Sequence, residues 1–202
     1  MFLIYMLTGK QILTISDSML RGVKLGRNCD NVVRGGAMVK DLTKGVHGYE
    51  DFLPIKVDAY DIILIHVGTV DIRQGRSPLD IVMDVKELFD AIYSRNRGAL
   101  VVVSAILYHP HDKDGSYKLI NEANHGIFKL CDKTPNAVFL KTMSIFKTGK
   151  RILLEFYDVS GIHLNIHGKA RLQAYFRRML ANETLHGMLR GANKRRPNFL
   201  WN

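Results

Sequence analysis

Apolar residues cluster in five short runs along the chain, and most of these runs are rich in isoleucine and valine. Each run has the length of a strand rather than of a helix. Uninterrupted apolar runs of this length are typical of strands buried on both faces of a parallel sheet. The pattern predicts strands at Ile12–Ile15, Val32–Val33, Asp61–Val67, Ala99–Ala105 and Ala137–Lys141.

Longer stretches between these runs place apolar residues at helical spacing. One opens at Ser77-Pro78, where serine is suited to cap a helix and proline to occupy its first position, and it continues to Phe89. A second covers Asp114–Leu130, and the last runs from about Asn165 to Ala181. The spacing predicts helices over these three stretches.

Strands that alternate with helices predict right-handed crossovers and an α/β fold. We therefore expect a doubly wound α/β/α sandwich with a central parallel sheet. In such sheets, sites form at the carboxyl ends of the strands, so polar residues that directly follow a strand are the candidates for chemistry.

The length of 202 residues and the 47% hydrophobic content fit one compact domain. We interpret residues 1–10 as an N-terminal extension or linker end, 11–190 as the domain, and 191–202 as a basic and aromatic tail. The two cysteines, Cys29 and Cys131, are too few for a disulfide framework, which favours a reducing, cytoplasmic location. The apolar segment Met1–Leu7 is too short to span a bilayer, and no membrane role is expected.

Four short motifs carry the candidate chemistry, and three of them follow predicted strands. In order and spacing they resemble the conserved blocks of the SGNH (GDSL-type) hydrolases. The resemblance implies that Ser18 is the nucleophile, His163 the general base, and Gly35 or Gly36 the glycine that binds the oxyanion. The four motifs are Ser16-Asp17-Ser18, Gly35-Gly36, Gly68-Thr69-Val70-Asp71 and Ser160-Gly161-Ile162-His163.

The chain departs from the family pattern where the chemistry takes place. Val70 stands where the family has an asparagine, and Ser160 stands where it has the aspartate of the Asp-x-x-His pair. Valine cannot donate a hydrogen bond, and a neutral serine cannot stabilise an imidazolium. Losing one oxyanion donor costs about 10²–10³ in turnover, and losing the function of the acid costs roughly 10⁴. Ser16 also replaces the glycine of the first block.

These departures predict a domain that is not an enzyme, in which Ser18 and His163 are vestigial and Val70 and Ser160 mark lost positions. One alternative source of the acid is open: Asp158 lies two residues upstream of Ser160 and would orient His163 if the loop bulged. The alternative function is an active SGNH-type esterase that uses Ser18 and His163, similar to the esterase domains attached to some retrotransposon proteins.

The charge of the chain favours a polyanionic partner. Lysine and arginine number 29 against 19 aspartates and glutamates, which gives a net charge of +10. The excess is concentrated at residues 21–44 and in the last sixteen residues, whereas 45–94 is acidic. The basic residues expected to contact RNA are Arg34, Lys40 and Arg171, supported by Arg21, Lys24, Lys169, Arg178 and Arg195.

The remaining motifs point to no cofactor and no metal. We interpret the cluster His109-Pro110-His111-Asp112 as a solvated loop, because no second ligand group follows at a recognisable spacing. The tail places Phe199 and Trp201 beside basic residues, which suits single-stranded nucleic acid. A tail whose aromatic residues dock on the domain as a hydrophobic latch is equally consistent with this pattern.

Basic charge, an incomplete site and the tail Arg-Arg-Pro-Asn-Phe-Leu-Trp-Asn together resemble the SGNH-like domains of insect germ-plasm organisers. The resemblance implies a non-catalytic domain that recognises messenger RNA in its 3′ untranslated regions, in single-stranded segments. It implies a role in germ-plasm assembly and germ-cell formation, within cytoplasmic ribonucleoprotein granules and with germ-plasm protein partners. A protein-interaction scaffold that binds acidic partners is a third possibility.

Overall fold

The computed structural model describes residues 9–111, 116–149 and 151–181. Its centre is a five-stranded sheet in which every pairing is parallel and the strand order is β2-β1-β3-β4-β5. The strands β1, β3 and β4 are fully buried along their length, as the apolar runs predicted. The five strands are β1 (Ile12–Ser16), β2 (Cys29–Val33), β3 (Ile62–His66), β4 (Leu100–Ser104) and β5 (Ala137–Leu140).

Helices cover both faces of this sheet. Along β1, Leu13 and Ile15 face one apolar core, and Ile12 faces the other. The helices α1, α3 and α4 contribute to the first core, and α5 contributes to the second. The prediction of a doubly wound α/β/α sandwich is therefore confirmed. The helices are α1 (Val39–His47), α2 (Thr69–Arg73), α3 (Pro78–Arg95), α4 (Ser116–Lys133) and α5 (Ile166–Leu180).

The last predicted helix, α5, matches the prediction to within one residue at each end, whereas α3 starts as predicted and extends six residues beyond Phe89. Ser77 caps α3 by accepting a hydrogen bond from the backbone N–H of Asp80 at 3.1 Å. Asn165 caps α5, and its side chain accepts from the N–H groups of His167 and Gly168. The predicted start of α4 at Asp114 lies outside the described residues.

The sequence did not predict α1, α2 or a small antiparallel hairpin formed by β6 (Lys147–Thr148) and β7 (Arg151–Ile152). Short one-turn 3₁₀ helices also occur, including one at Ser18–Leu20 that directly follows β1. These missed elements are short, and α1 and the Ser18–Leu20 turn both adjoin the carboxyl edge of the sheet.

The strand order creates a switch point between β1 and β3. The chain leaves β1 toward β2 on one side and returns past β1 to β3 on the other. Connections that diverge in this way open a crevice at the carboxyl ends of the two strands, where α/β sheets bind ligands. Ser18, Gly35 and Val70 follow β1, β2 and β3 and so belong to this edge.

The proposed division of the chain at residues 10 and 190 is not tested by the structure, since residues 1–8 and 182–202 lie outside the described residues. Within the described part of the chain, no helix is long and apolar enough to cross a membrane.

Candidate active site

The nucleophile position is built by the turn that follows β1. Asp17 directly follows the strand and caps the one-turn helix Ser18–Leu20, since its Oδ1 accepts a hydrogen bond from Met19 N at 2.9 Å. Met19 and Leu20 are buried in the core beneath α5, and this anchors the turn. Ser18 is thereby held half-buried at the carboxyl edge of the sheet.

The histidine is positioned by a tight loop before α5. Tyr157 and Leu164 form an antiparallel bridge across this loop, and Asp158 N donates to the carbonyl of His163 at 2.9 Å. The side chain of Asn165 donates to the carbonyls of Glu155 and Tyr157 and closes the base of the loop.

Ser18 and His163 meet across the site. The distance between Ser18 Oγ and His163 Nε2 is 3.0 Å, which is the separation of a nucleophile and the base that activates it. The two residues lie 145 positions apart in the chain, and the contact joins the end of β1 to the loop before α5. The sequence prediction that these two residues belong to one site agrees with this geometry.

The acid that faces His163 is Asp158. Its Oδ2 lies 3.8 Å from His163 Nδ1, which is an ion-pair distance and longer than a direct hydrogen bond. The alternative acid that the sequence left open therefore has suitable geometry. The loop turns so that Asp158, five positions upstream of the histidine, faces the Nδ1 side of its ring.

Ser160, at the family's acid position, supports Asp158 instead of contacting His163. Its hydroxyl donates to Asp158 Oδ1 at 2.5 Å and accepts from Ile162 N at 3.2 Å, while its own N–H also donates to Asp158 Oδ1. The hydroxyl bond is the main cause that lowers the pKa of Asp158 below its usual range. Asp158 thus stays ionised at neutral pH, as an acid that orients an imidazolium must.

Gly161 allows the loop to turn at this point. Its φ is +63°, in the left-handed region, and a side chain there would collide with the ring of His111. The segment after β4 is therefore packed directly against the loop that carries His163.

Three backbone N–H groups follow β1 and β2 at the carboxyl edge of the sheet. Gly35 and Gly36 follow β2 and are exposed, and Ser18 begins its one-turn helix. Within residues 9–111, 116–149 and 151–181, the N–H groups of these three residues have no hydrogen-bond acceptor. Val70, the second residue of α2, is half-buried and offers only methyl groups from its side chain. The side-chain donor is missing, as the sequence predicted.

Two carboxyl groups are buried below the nucleophile. Asp71 Oδ2 accepts a hydrogen bond from Val39 N at 3.1 Å, and this ties α2 to the start of α1. Asp17 is only 1% exposed, and burial raises its pKa to about 6 despite the opposing hydrogen bond from Met19 N. His109 interacts electrostatically with Asp17 and is itself buried. The interpretation of the His109–Asp112 cluster as a solvated loop is therefore wrong at His109, because this residue belongs to the polar layer under the site.

A second Ser–His pair lies deeper in the sheet and has a different character. His66 Nδ1 and Ser104 Oγ are 2.7 Å apart, and Ser104 Oγ is 2.7 Å from Thr142 Oγ1. Both His66 and Ser104 are 1% exposed, so neither reaches a substrate from outside. Burial lowers the pKa of His66 to about 3, which keeps its ring neutral. We interpret this pair as a structural contact between β3 and β4, and Ser18–His163 as the accessible pair.

The structure divides the predicted RNA-binding residues between the two helical layers. Lys40 is exposed at the start of α1, whereas Lys169, Arg171 and Arg178 are on α5, which packs on the opposite face of the sheet. Arg171 lies over the ring of Phe156 and Arg178 over that of Tyr175. Arg195 lies outside the described residues.

The other three predicted residues differ in their contacts. Arg34 donates to the carbonyl of Leu53 and lies over the ring of Phe52, so its guanidinium is engaged within the protein. Arg21 and Lys24 are exposed on the segment after Ser18, and the guanidinium of Arg21 lies beside Gly35. The sequence placed Arg21 near the site but did not indicate its contact with Gly35.

The fold is that of the SGNH (GDSL-type) hydrolases. A Streptococcus pneumonia protein provisionally named a platelet activating factor matches with a TM-score of 0.71 and 18% identity, over 85% of this chain and 84% of that one. A lipolytic G-D-S-L family protein from Veillonella parvula matches with a TM-score of 0.64 and 17% identity, over 84% and 96%. An acetylxylan esterase from Geobacillus stearothermophilus matches with a TM-score of 0.63 and 15% identity, over 84% and 93%.

Sequence comparison alone identifies no relative: no family model matches the chain, and no curated protein matches it closely enough to count as one.

These findings correct the expectation that the domain is not an enzyme. The structural neighbours include an acetyl esterase, a lipase and an acetylxylan esterase. The structure also keeps Ser18 in hydrogen-bond contact with His163 and supplies an acid, Asp158, on the other side of the ring. The expectation failed because it gave the serine at position 160 more weight than Asp158, which the loop turns toward His163.

The buried carboxyl of Asp17 should make stability depend on pH. Its pKa is about 6 in the folded protein, against an ordinary value of 3.8, so the folded state holds an extra proton between these values. Stability therefore falls as pH rises from about 4 to 6. We expect Asp17→Asn, which retains an acceptor for Met19 N, to be more stable than wild type at pH 7.5 by about 1–3 kcal/mol. Urea unfolding at pH 4.5 and 7.5 measures this difference.

The control is Asp51→Asn, at an exposed carboxyl, which should leave the pH dependence of wild type unchanged. A difference between Asp17→Asn and wild type that does not grow from pH 4.5 to 7.5 would contradict the assignment.

Proposed function

We propose that this domain is an esterase in which Ser18 is the nucleophile, His163 the general base and Asp158 the orienting acid. The observation that carries the proposal is the 3.0 Å contact between Ser18 Oγ and His163 Nε2 at the carboxyl edge of the sheet, with Asp158 3.8 Å from Nδ1. The fold shared with esterases and lipases supports the same reaction class.

The residues suit acyl transfer in two steps. Ser18 Oγ attacks the ester carbonyl while His163 Nε2 takes its proton, and the free N–H groups of Ser18 and Gly35 or Gly36 face the developing oxyanion. His163 then returns the proton to the departing alcohol, which leaves an acyl group on Ser18. Water, deprotonated by His163, cleaves this acyl-enzyme to release the acid and restore the serine. Asp158 stabilises the imidazolium that forms in each step.

The first test is hydrolysis of p-nitrophenyl acetate. We expect Ser18→Ala to abolish turnover above background, and Asp158→Asn to lower kcat by at least tenfold and by up to about 10⁴. Initial rates at neutral pH give both values.

Ser104→Ala is the matched control, since it removes the serine of the buried Ser–His pair and should retain turnover in folded protein. Loss of activity in Ser104→Ala with full activity in Ser18→Ala would reverse the assignment of the two pairs.

The second test restores the side-chain hydrogen-bond donor that position 70 lacks. Val70→Asn places a side-chain donor at the start of α2, where the family has one, and should raise kcat because one oxyanion donor is worth about 10²–10³ in turnover. We expect a gain of at least tenfold, measured with the same ester. Val70→Ala changes the side chain without adding a donor and should show no gain. Equal rates for Val70→Asn and Val70→Ala would mean that position 70 does not face the oxyanion.

RNA binding is a second candidate function. It is suggested by the finer resemblance of the sequence to the OSK domain of Oskar. The structural neighbours described above do not single out that domain. The surface formed by residues 18–29 and 159–181 supports RNA binding, because neither segment contains an aspartate or a glutamate. The two segments pack together: Lys24 N donates to the side chain of Gln173, and Arg177 donates to the carbonyl of Leu25. We define this surface as the basic face; its lysines and arginines are Arg21, Lys24, Arg27, Lys169, Arg171, Arg177 and Arg178.

Single-stranded RNA would lose affinity for the basic face as salt rises, with a slope near −0.7 per neutralised phosphate. We expect Arg171→Glu to weaken binding of a single-stranded RNA several-fold and to reduce that slope, as measured by gel shift across a salt series. Lys129→Glu, an equal charge reversal on an exposed position of α4 in the other helical layer, should have little effect. An equal loss in both variants, or no binding by wild type at physiological salt, would count against an RNA-binding surface here.

A further inference from the structure

The guanidinium of Arg21 lies against the backbone of the oxyanion glycine. Arg21 ends the one-turn helix that begins with Ser18, and its N–H donates to the carbonyl of Ser18 at 3.1 Å. A Cβ added to Gly35 would lie 3.0 Å from Arg21 Nη2. The side chain therefore crosses from the nucleophile turn to the loop after β2, over the space that glycine leaves open.

This guanidinium is available to a ligand. In the part of the chain that the structure describes, it makes no ion pair, hydrogen bond or ring contact, and Arg21 is exposed. Neighbouring arginines are engaged: Arg34 contacts Leu53 and Phe52, and Arg177 donates to the carbonyls of Lys24 and Leu25.

Among the residues that the structure describes, no carboxylate lies within ion-pair distance of Arg21. Residues 18–29 and 159–181, which form the basic face, contain no aspartate or glutamate. The acid next to Ser18 is Asp17, which is buried below the turn and whose Oδ1 is bound to Met19 N. An unpaired cation beside the nucleophile therefore faces the crevice in which the ester must lie.

We propose that the substrate is an ester carrying an anionic group, a carboxylate or a phosphate, which Arg21 binds while Ser18 attacks the carbonyl. This inference rests on the proposed esterase function and specifies its substrate class. A guanidinium is a planar fork of donors that matches both of these anions, and a bond to a charged group beside a partly enclosed site is stronger than a bond between neutral groups. Gly35 lacks a side chain, which leaves Arg21 the room to approach the same crevice.

The test compares two acetate esters that differ in charge. The anionic ester is 4-acetoxybenzoate and the neutral one is 4-acetoxybenzamide, so that both deliver the same acetyl group to Ser18. We expect wild type to prefer the anionic ester in kcat/KM, and Arg21→Gln to reduce the anionic-to-neutral ratio roughly tenfold or more. Arg21→Lys, which keeps the charge without the fork, should recover part of the ratio.

The matched control is Arg27→Gln, at an exposed arginine of the same segment, which should keep the ratio of wild type. Salt at 0.5 M should lower the ratio in wild type and leave it unchanged in Arg21→Gln. A third ester, 4-acetoxyphenyl phosphate, distinguishes the two anions: the one with the larger Arg21-dependent ratio is the preferred group.

The outcomes separate this inference from the proposed function. Serine-dependent hydrolysis of both esters with the same ratio in wild type, Arg21→Gln and Arg27→Gln would overturn the role of Arg21 and leave the esterase standing. Equal loss of the ratio in the Arg21 and Arg27 variants would also overturn it, because the preference would then come from overall charge. If wild type hydrolyses both esters no faster than Ser18→Ala does, the proposed esterase function is wrong and this inference fails with it.

Discussion

The proposed active site depends on the hydrogen bond between Ser18 Oγ and His163 Nε2 at the carboxyl edge of the sheet. Separate contacts hold each of these two residues in place. The Asp17 cap and the buried side chains of Met19 and Leu20 fix the serine. The loop closed by Asn165 fixes the histidine. Because both anchors belong to the core of the domain, the pair is held in place before any substrate arrives, and little ordering remains to be done on binding.

The two departures from the family pattern differ in their consequences. At position 160, the role of the acid moves to Asp158, and Ser160 becomes the residue that orients that acid. At position 70, the valine side chain offers no donor, and the proposed oxyanion site uses backbone N–H groups. Since the acid is worth roughly 10⁴ in turnover and one donor about 10²–10³, the structure retains the part that matters more. This explains why two losses in the sequence leave a site that still has the geometry of an esterase.

The fold could be predicted from the sequence because burial on both faces leaves a simple signal in the strands. The apolar runs at β1, β3, β4 and β5 are set by the core alone, and Ser77 and Asn165 mark two helix starts by their own capping. By contrast, α1 contains a glycine and a threonine, and Gly45 is required there because Ile55 and the backbone of Leu53 approach it closely. That requirement is tertiary, so local propensity did not reveal the helix.

The site was predicted less completely for a related reason. Ser18, His163 and the glycine pair follow from motif spacing, but the ion pair of Asp158 depends on how residues 158–163 turn, with Gly161 in the left-handed region. A fixed spacing in a motif assumes a fixed loop, and here the loop has changed. The burial of His109 and the position of Arg21 over Gly35 likewise depend on contacts between segments far apart in the chain.

Ser18 and His163 lie 145 positions apart in the chain, and this has a consequence for how the proposed site forms. Ser18 follows β1 and His163 lies three residues before α5, so the pair can close only when the intervening strands are in register. A nascent chain that has not yet released α5 from the ribosome carries the serine without its base. For the proposed esterase, catalytic competence therefore requires the folded domain from β1 to α5, and chains that end before His163 are expected to be inactive.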